Sequence, residues 1–233
     1  MLEELLQRGL AEMGIPADAQ ALERFCTYYD ALEAANREMN LTAVSGEEAV
    51  ARLHFLDSAA PLLLFPLEGR SVIDIGAGAG FPGLPLKILC PALSLTLLDS
   101  LGKRVDFLRG VCARLELDDV TCVHGRAEEC GARREQFDFA LSRAVARLNV
   151  LCELCLPYVR PGGAFLALKG PAAREEADEA AAAISALGGT LERIFDYSVP
   201  GETLRHNIVV IRKTAPTPQR YPRRFAAIKK RPL

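Results

Sequence analysis

The run Asp74-Ile-Gly-Ala-Gly-Ala-Gly-Phe-Pro-Gly83 follows the apolar Ser71-Val72-Ile73, and it spells a strand that breaks into a glycine-rich turn and opens a helix. The chemistry of such a turn is ligand binding. Gly76, Gly78 and Gly80 let the backbone bend sharply and bring its N–H groups close to a bound molecule. Pro82 suits the first helical turn, and Pro85 still falls where no intrahelical donor is needed. Two motifs overlap here. Gly78-Ala-Gly80-Phe-Pro-Gly83 is a literal GxGxxG, the dinucleotide fingerprint. Asp74-x-Gly76-x-Gly78-x-Gly80 is the acid-plus-glycines pattern of S-adenosylmethionine sites. The Asp74 carboxylate favours the second, because it would repel a pyrophosphate and attract an ammonium or a sulfonium. The alternative is a buried strand-end acid that caps the following helix.

Further along, polar residues stand where other strands should end. Asp99 closes the apolar run Leu93 to Leu98, nineteen residues after Gly80. An acid there can accept both hydroxyls of a cofactor ribose; as an alternative it caps the helix that begins near Ser100 and Lys103. Ala127 and Glu128 follow the third strand, beside the place where an adenine would lie, unless Glu128 is merely an acid in a first helical turn. Arg143 and Lys169 end the fourth and fifth strands. Two cations beside a cofactor pocket can hold a phosphate of a nucleic acid, or else pair with Asp74 or Glu153.

The elements that must carry these residues read as follows. Helices are expected over residues 2–13 and 17–39. A third begins at a capping box of Ser45 and Glu48, and a fourth runs around His54 to Phe65, divided at Pro61. Strands near 71–75, 94–99, 120–123, 137–142 and 163–168 then alternate with helices near 82–90, 101–115, 148–158 and 172–187. That alternation means a doubly wound, mainly parallel sheet, with ligands at the carboxyl ends of its strands. Two more strands, Thr190 to Val199 and His206 to Arg212, are joined only by the turn at Pro200-Gly201-Glu202, so they are antiparallel neighbours. A terminal antiparallel hairpin of this kind fits a class I S-adenosylmethionine-dependent methyltransferase fold: a Rossmann-like, mainly parallel, seven-stranded sheet behind an N-terminal helical region. A dinucleotide fold would place a crossover helix there. The expected divisions are 1–66, N-terminal helical region; 67–213, methyltransferase domain; and 214–233, basic tail.

Composition narrows the classes. The 233 residues are half apolar, and no uninterrupted apolar run is long enough for a membrane span. Met1 to Met13 lacks the charge pattern of a secretory signal, so a cytoplasmic protein is expected. Seven scattered cysteines fit reduced thiols, and Cys152-x-x-Cys155 lacks the second pair or the histidine spacing that zinc needs. No metal is expected. The net charge of −2 hides an asymmetry, since Arg212 to Leu233 holds eight cations and no acid. A basic tail on an acidic body is a polyanion signature. Tyr221 and Phe225 lie among those charges and can stack on bases. The tail's four prolines imply an extended segment outside the core.

At this point the chain resembles the bacterial 16S ribosomal RNA guanine-N7 methyltransferases, the glucose-inhibited division protein B family. The resemblance rests on Asn40-Leu-Thr42, His54-Phe-Leu-Asp-Ser58, the Asp74–Gly83 loop, Leu97-Leu-Asp-Ser-Leu-Gly-Lys-Arg104, Ser142-Arg-Ala144, Leu168-Lys-Gly170 and Arg205-His206. It covers nearly the whole chain. It implies methyl transfer from S-adenosylmethionine to N7 of one guanine in the decoding-region loop of 16S rRNA, with the rRNA or the small ribosomal subunit as partner; a monomer is expected. The cofactor contacts expected from the loop and the resemblance together are Gly76, Gly78, Phe81, Asp99, Ala127, Glu128 and Arg143. RNA contacts are expected at Arg143, Lys169, Arg223 and Arg224. Guanine N7 carries a free lone pair and no proton, so no general base is required, and no catalytic residue is assigned. The rival readings are a nicotinamide-dependent oxidoreductase, a small-molecule methyltransferase, and a non-catalytic RNA-binding factor on the same fold.

Overall fold

A computed structural model describes every residue except Cys130 and Ala144. The chain begins with helices α1 (Leu2–Glu12) and α2 (Ala19–Met39). Leu2, Leu6 and Leu10 recur at helical spacing and are buried. Asp18 caps α2, its side chain accepting the Ala21 N–H at 2.7 Å, and the helix ends at Asn40, which takes the left-handed conformation. A short α3 (Glu47–Val50) runs into a wide π turn (Ala51–Leu56), then α4 (Asp57–Ala59) and a tight turn containing Pro61.

The sheet follows: β1 (Ser71–Ile75), α5 (Gly83–Leu89), β2 (Ser94–Asp99), α6 (Gly102–Arg114), β3 (Val120–His124), β4 (Phe137–Arg143), α7 (Leu148–Cys155), β5 (Val159–Lys169), α8 (Ala173–Glu179), α9 (Ala181–Ala186), β6 (Gly189–Ser198) and β7 (Arg205–Lys213). The strand order is β3-β2-β1-β4-β5-β7-β6. The first five strands are parallel, and β7 lies antiparallel between β5 and β6. The order reverses between β1 and β4. A crevice opens at such a switch point, at the carboxyl ends of the strands. Register brings Ile75 beside Leu98, and Asp74 beside Leu141, so the ends of β1, β2 and β4 stand side by side.

Each face of the sheet is covered. One core joins the N-terminal helices, α5 and α6 to Val72, Leu95, Leu141 and Leu166. The other joins α7, α8 and α9 to Ile73, Ala140, Phe165 and Val209. Among the described residues, no helix is long and apolar enough to cross a membrane.

Several local expectations are corrected. The Ser45–Glu48 capping box does not form. Gly46, with φ of 86°, occupies the cap position instead, and Glu48 reaches Arg52 at 2.6 Å. Pro82 lies just before α5 rather than inside it. The expected helix over 172–187 divides at Ala180, and β5 starts at Val159, four residues early. The largest correction concerns the basic tail, which is neither wholly extended nor outside the core. Phe225–Lys230 forms helix α10, and Thr217, Tyr221 and Ile228 are buried. Ile228 anchors the helix in the α7 layer, and the tail's cations and backbone find partners there that offset their desolvation.

Candidate cofactor and substrate cavities

A cavity of about 480 Å3 occupies the crevice at the switch point. Gly76, Gly78 and Phe81 of the turn after β1 line it, as does Asp99 at the end of β2. Ala127 and Glu128 after β3, and Arg143 at the end of β4, complete the seven residues the sequence proposed for a cofactor. The structure therefore brings all seven together. Glu128 opens no helix; a turn follows β3 there.

The turn itself divides into two halves. Gly76 has φ of 74°, and a Cβ on it would lie 2.6 Å from Val145, which packs across the turn. Gly80 faces the other way. A Cβ there would meet the Tyr28 hydroxyl and Leu84, both at 2.5 Å. The first half of the turn thus faces the cavity, while the second half is shaped by packing against α2 and α5. Asp99 connects turn and strand: one carboxylate oxygen accepts the Gly78 N–H and the other the Leu101 N–H, both at 2.9 Å.

Asp74 requires a correction. Its carboxyl is not part of the cavity wall; it is fully buried beneath α5, where Oδ2 accepts the Gly83 N–H at 2.8 Å. Among the described residues, Oδ1 has no partner. Burial pushes its pKa up to about 7, against the pull of the Gly83 bond and of Arg143. The helix-capping alternative describes this residue, and its charge is not available to recognise a cofactor by contact.

Arg143 sits in a network the sequence did not reveal. Its Nη1 donates to the Leu53 carbonyl and to Asp57 Oδ2, both at 2.9 Å, and its Nη2 lies 3.0 Å from His54 Nδ1. A guanidinium can only donate, which favours Nδ1 as the acceptor and the proton on Nε2, 2.7 Å from Thr42 Oγ1; the Leu53 carbonyl also lies 3.1 Å from Nδ1. The His54 ring also stacks on Phe81, with centroids 4.4 Å apart. Burial, then the charge of Arg143, pull its pKa down to about 4, so the ring is neutral at pH 7. Asp57 completes the network, its Oδ1 accepting from Tyr197 at 2.6 Å and from His206 Nδ1 at 2.9 Å. Burial alone would raise the Asp57 pKa; the bonds from His206, Arg143 and Tyr197 outweigh it and lower the value. His206 shifts upward, chiefly through its bond to Asp57. Arg143 and Lys169 therefore do not pair with Asp74 or Glu153. Lys169 donates to the Ala146 carbonyl at 2.6 Å and to Glu176 at 2.7 Å.

A second cavity, of about 580 Å3, adjoins the first at His54, Arg143 and Val145, and extends to Lys169 and His206. The other proposed RNA contacts lie on the far side of the cofactor cavity. Arg223 holds the buried carboxylate of Glu153 on α7, with Nη2 to Oε2 at 2.6 Å and Nε to Oε1 at 2.8 Å. Arg224 is exposed, and among the described residues it has no acidic partner. Phe225 reaches over to line the cofactor cavity. Ala144, of the Ser142-Arg-Ala144 string, lies outside the described residues. Cys152 and Cys155 are buried thiols packed in the core.

Thr42, Asp57, Tyr197 and His206 are functional-site candidates that spacing alone did not supply. The strings Asn40-Leu-Thr42, His54 to Ser58 and Arg205-His206 contained three of them, but without partners.

Comparison with known proteins gives the family and the fold. The family described as rRNA small subunit methyltransferase G matches residues 21–204. The chain is 46% identical to a ribosomal RNA small subunit methyltransferase G of Alkaliphilus metalliredigens, over 98% of both chains. It is 44% identical to that of Lactobacillus johnsonii over the whole of both. Among solved structures, an S-adenosylmethionine-dependent methyltransferase from Aquifex aeolicus superposes with a TM-score of 0.53 at 19% identity, covering 68% of this chain and 91% of the other.

Proposed function

The chain belongs to the rRNA small subunit methyltransferase G family, and from that premise we propose that it transfers a methyl group from S-adenosylmethionine to N7 of one guanine in the decoding-region loop of 16S rRNA. The cofactor cavity suits this donor. Each Asp99 oxygen already accepts one N–H and keeps a second lone-pair direction for a ribose hydroxyl donor. Gly76 and Gly78 let the backbone approach the ligand, and Leu41, Ala127 and Phe225 give an apolar lining for an adenine. When bound, the cofactor supplies an activated methyl group on a sulfonium.

The observation that carries the nucleophile's identity is the state of the groups where the two cavities meet. His54 is neutral, but both of its ring nitrogens are already engaged, Nδ1 by Arg143 and the Leu53 carbonyl and Nε2 by Thr42. Asp57 accepts three hydrogen bonds. Neither is free to remove a proton, which favours a nucleophile that has none to lose. Guanine N7 meets that condition. The residues then act by alignment, holding the acceptor in line with the methyl–sulfur bond and excluding water. Arg143 and Lys169 would orient the nucleotide, while Arg223 and Arg224 would serve the flanking RNA on the tail side. We infer a monomeric cytoplasmic enzyme without a metal.

The test is methyl transfer from labelled S-adenosylmethionine to purified small subunits that lack the modification, followed by mapping of the labelled base. Label on a single guanine at N7 is expected. Label on another atom, or only on small molecules, would overturn the reading.

A further inference from the structure

We propose that the second cavity receives the target guanine, turned out of the RNA, and that Arg143 and Glu176 read its O6 and its N1–N2 edge. This rests on the activity proposed above and names the site where its substrate is selected. Among the described residues, the cavity meets the cofactor cavity at His54, Arg143 and Val145, so an acceptor atom lodged there faces the methyl donor across a shared wall.

The hydrogen-bonding groups left over in the cavity have a pattern. Among the described residues, the Nε–H of Arg143 has no acceptor, because only Nη1 and Nη2 are engaged. Lys169 uses two of its three N–H donors. Glu176 accepts from Lys169 and from the Leu148 N–H through Oε2 alone, so Oε1 remains an open acceptor. Asp57 is buried, with Oδ1 accepting from Tyr197 and His206 and Oδ2 from Arg143, so Glu176 is the more accessible of the two carboxylates. The cavity therefore offers cationic donors and one carboxylate acceptor, between apolar walls at Leu53, Val145 and Leu168. Guanine matches that set. Its O6 accepts, its N1–H and N2–H2 donate, and its faces are apolar. Adenine reverses both features, with an amino donor in place of O6 and an acceptor at N1. Cytosine and uracil lack the N7 nucleophile. Turning the base out of its stack is what an enzyme acting on a base atom requires. Asp57 is a positioning residue here. Tyr197 and His206 fix it, and it in turn fixes the Arg143 guanidinium at the boundary.

The three histidines provide the test. His54 and His206 line the proposed base site, whereas His124 lies at the end of β3, its ring against the Ser100 carbonyl. The full-length chain, labelled with 15N at its imidazoles and saturated with S-adenosylhomocysteine, is titrated with GMP and then with AMP. GMP should shift the His54 and His206 resonances and leave His124 in place, and AMP should bind at least about fivefold more weakly. Glu176→Gln should bring the two nucleotides within about twofold of each other, while its affinity for S-adenosylhomocysteine, measured by calorimetry, stays within twofold of the parent. Equal GMP and AMP binding, shifts confined to His124, no shift at all, or an undiminished GMP preference in Glu176→Gln would each overturn the assignment. Normal methylation of small subunits together with any of those results would remove the base site and leave the activity standing. Selective GMP binding without methylation would do the reverse.

Discussion

The two segments that flank the sheet both reach the cofactor cavity, but they are fastened by different forces. The N-terminal helices hold on through rings. Phe25 and Tyr28 of α2 pack on Phe55 at 4.9 and 5.3 Å between centroids, and Tyr28 and His54 continue the stack onto Phe81 of the glycine turn. The C-terminal tail holds on through ions. Arg223 grips the buried Glu153, the Thr217 N–H donates to the Glu135 carboxylate at 2.7 Å, and Arg134 donates to three tail carbonyls. Apolar burial is non-directional and contains no charge pair for salt to screen. A buried ion pair fixes one geometry, and it leaves a severe penalty if one partner is lost. One flank is thus attached by area, the other by orientation.

Substitutions on each side sharpen that contrast. Phe55→Ala should lower unfolding stability by about 3–5 kcal/mol, the range for deleting a buried ring, and urea titrations in low and high salt should give the same loss. A salt-dependent loss would break the distinction.

Next comes the sheet itself. Asp74, with its pKa raised from 3.8 to about 7, keeps a proton in the folded chain across a window where the unfolded chain has released it. Its contribution therefore falls as pH rises from about 4 to 7. Asp74→Asn has no such ionisation, so it should gain on the parent steadily across that window, by at most roughly 4 kcal/mol. A stability difference that is flat between pH 4 and 8 would contradict the buried, partnerless Oδ1.

On the tail side, Arg223→Ala should cost about 3 kcal/mol, because it strands a fully buried carboxylate. Glu153→Gln should cost less, since the Arg223 side chain keeps some access to water. Equal losses would mean that the pair acts as packing rather than as charge.

The smallest effect on folding is expected for Arg224→Ala with Lys229→Ala, within about 0.5 kcal/mol, as for exposed surface sites. The same pair should flatten the dependence of log RNA affinity on log salt by roughly 0.7 to 0.9 for each phosphate that is no longer neutralised. Affinity for S-adenosylhomocysteine should not change. An unaltered slope would remove the tail from the RNA surface.

The sheet was legible because alternation and strand-end polar residues are local signals. Asp99 and Gly76 could be found by reading a few residues on either side. Gly80 and Gly83 were legible as glycines but not in purpose. They sit in the fingerprint, yet a side chain on Gly80 would strike Tyr28 and Leu84, and one on Gly83 would strike Leu97 and Asp74. The Arg143 network was not legible, since Asp57 lies 86 residues from Arg143 and 140 from Tyr197. No periodicity reports contacts of that reach. The tail misled for another reason. Four prolines argued for extension, but the tail is docked by distant partners that read locally as ordinary residues: Glu153 for Arg223, Arg134 for the Tyr221 carbonyl, and the α7 layer for Ile228.

The placement of Phe225 on the wall of the cofactor cavity has a consequence for the order of synthesis. Leu41, Thr42 and residues Gly76 to Ala79 of the turn emerge early, but the cavity that they line is joined by Phe225 only after residue 225 has been made. A chain interrupted before Arg223 carries Glu153 in the α7 layer with no cation to meet it, and its Ile228 site stands open. Such a fragment would expose apolar surface and an unpaired acid, features that favour proteolysis and aggregation. The same contacts that bring Phe225 to the binding site therefore also pair Glu153 and cover the apolar floor beneath α10.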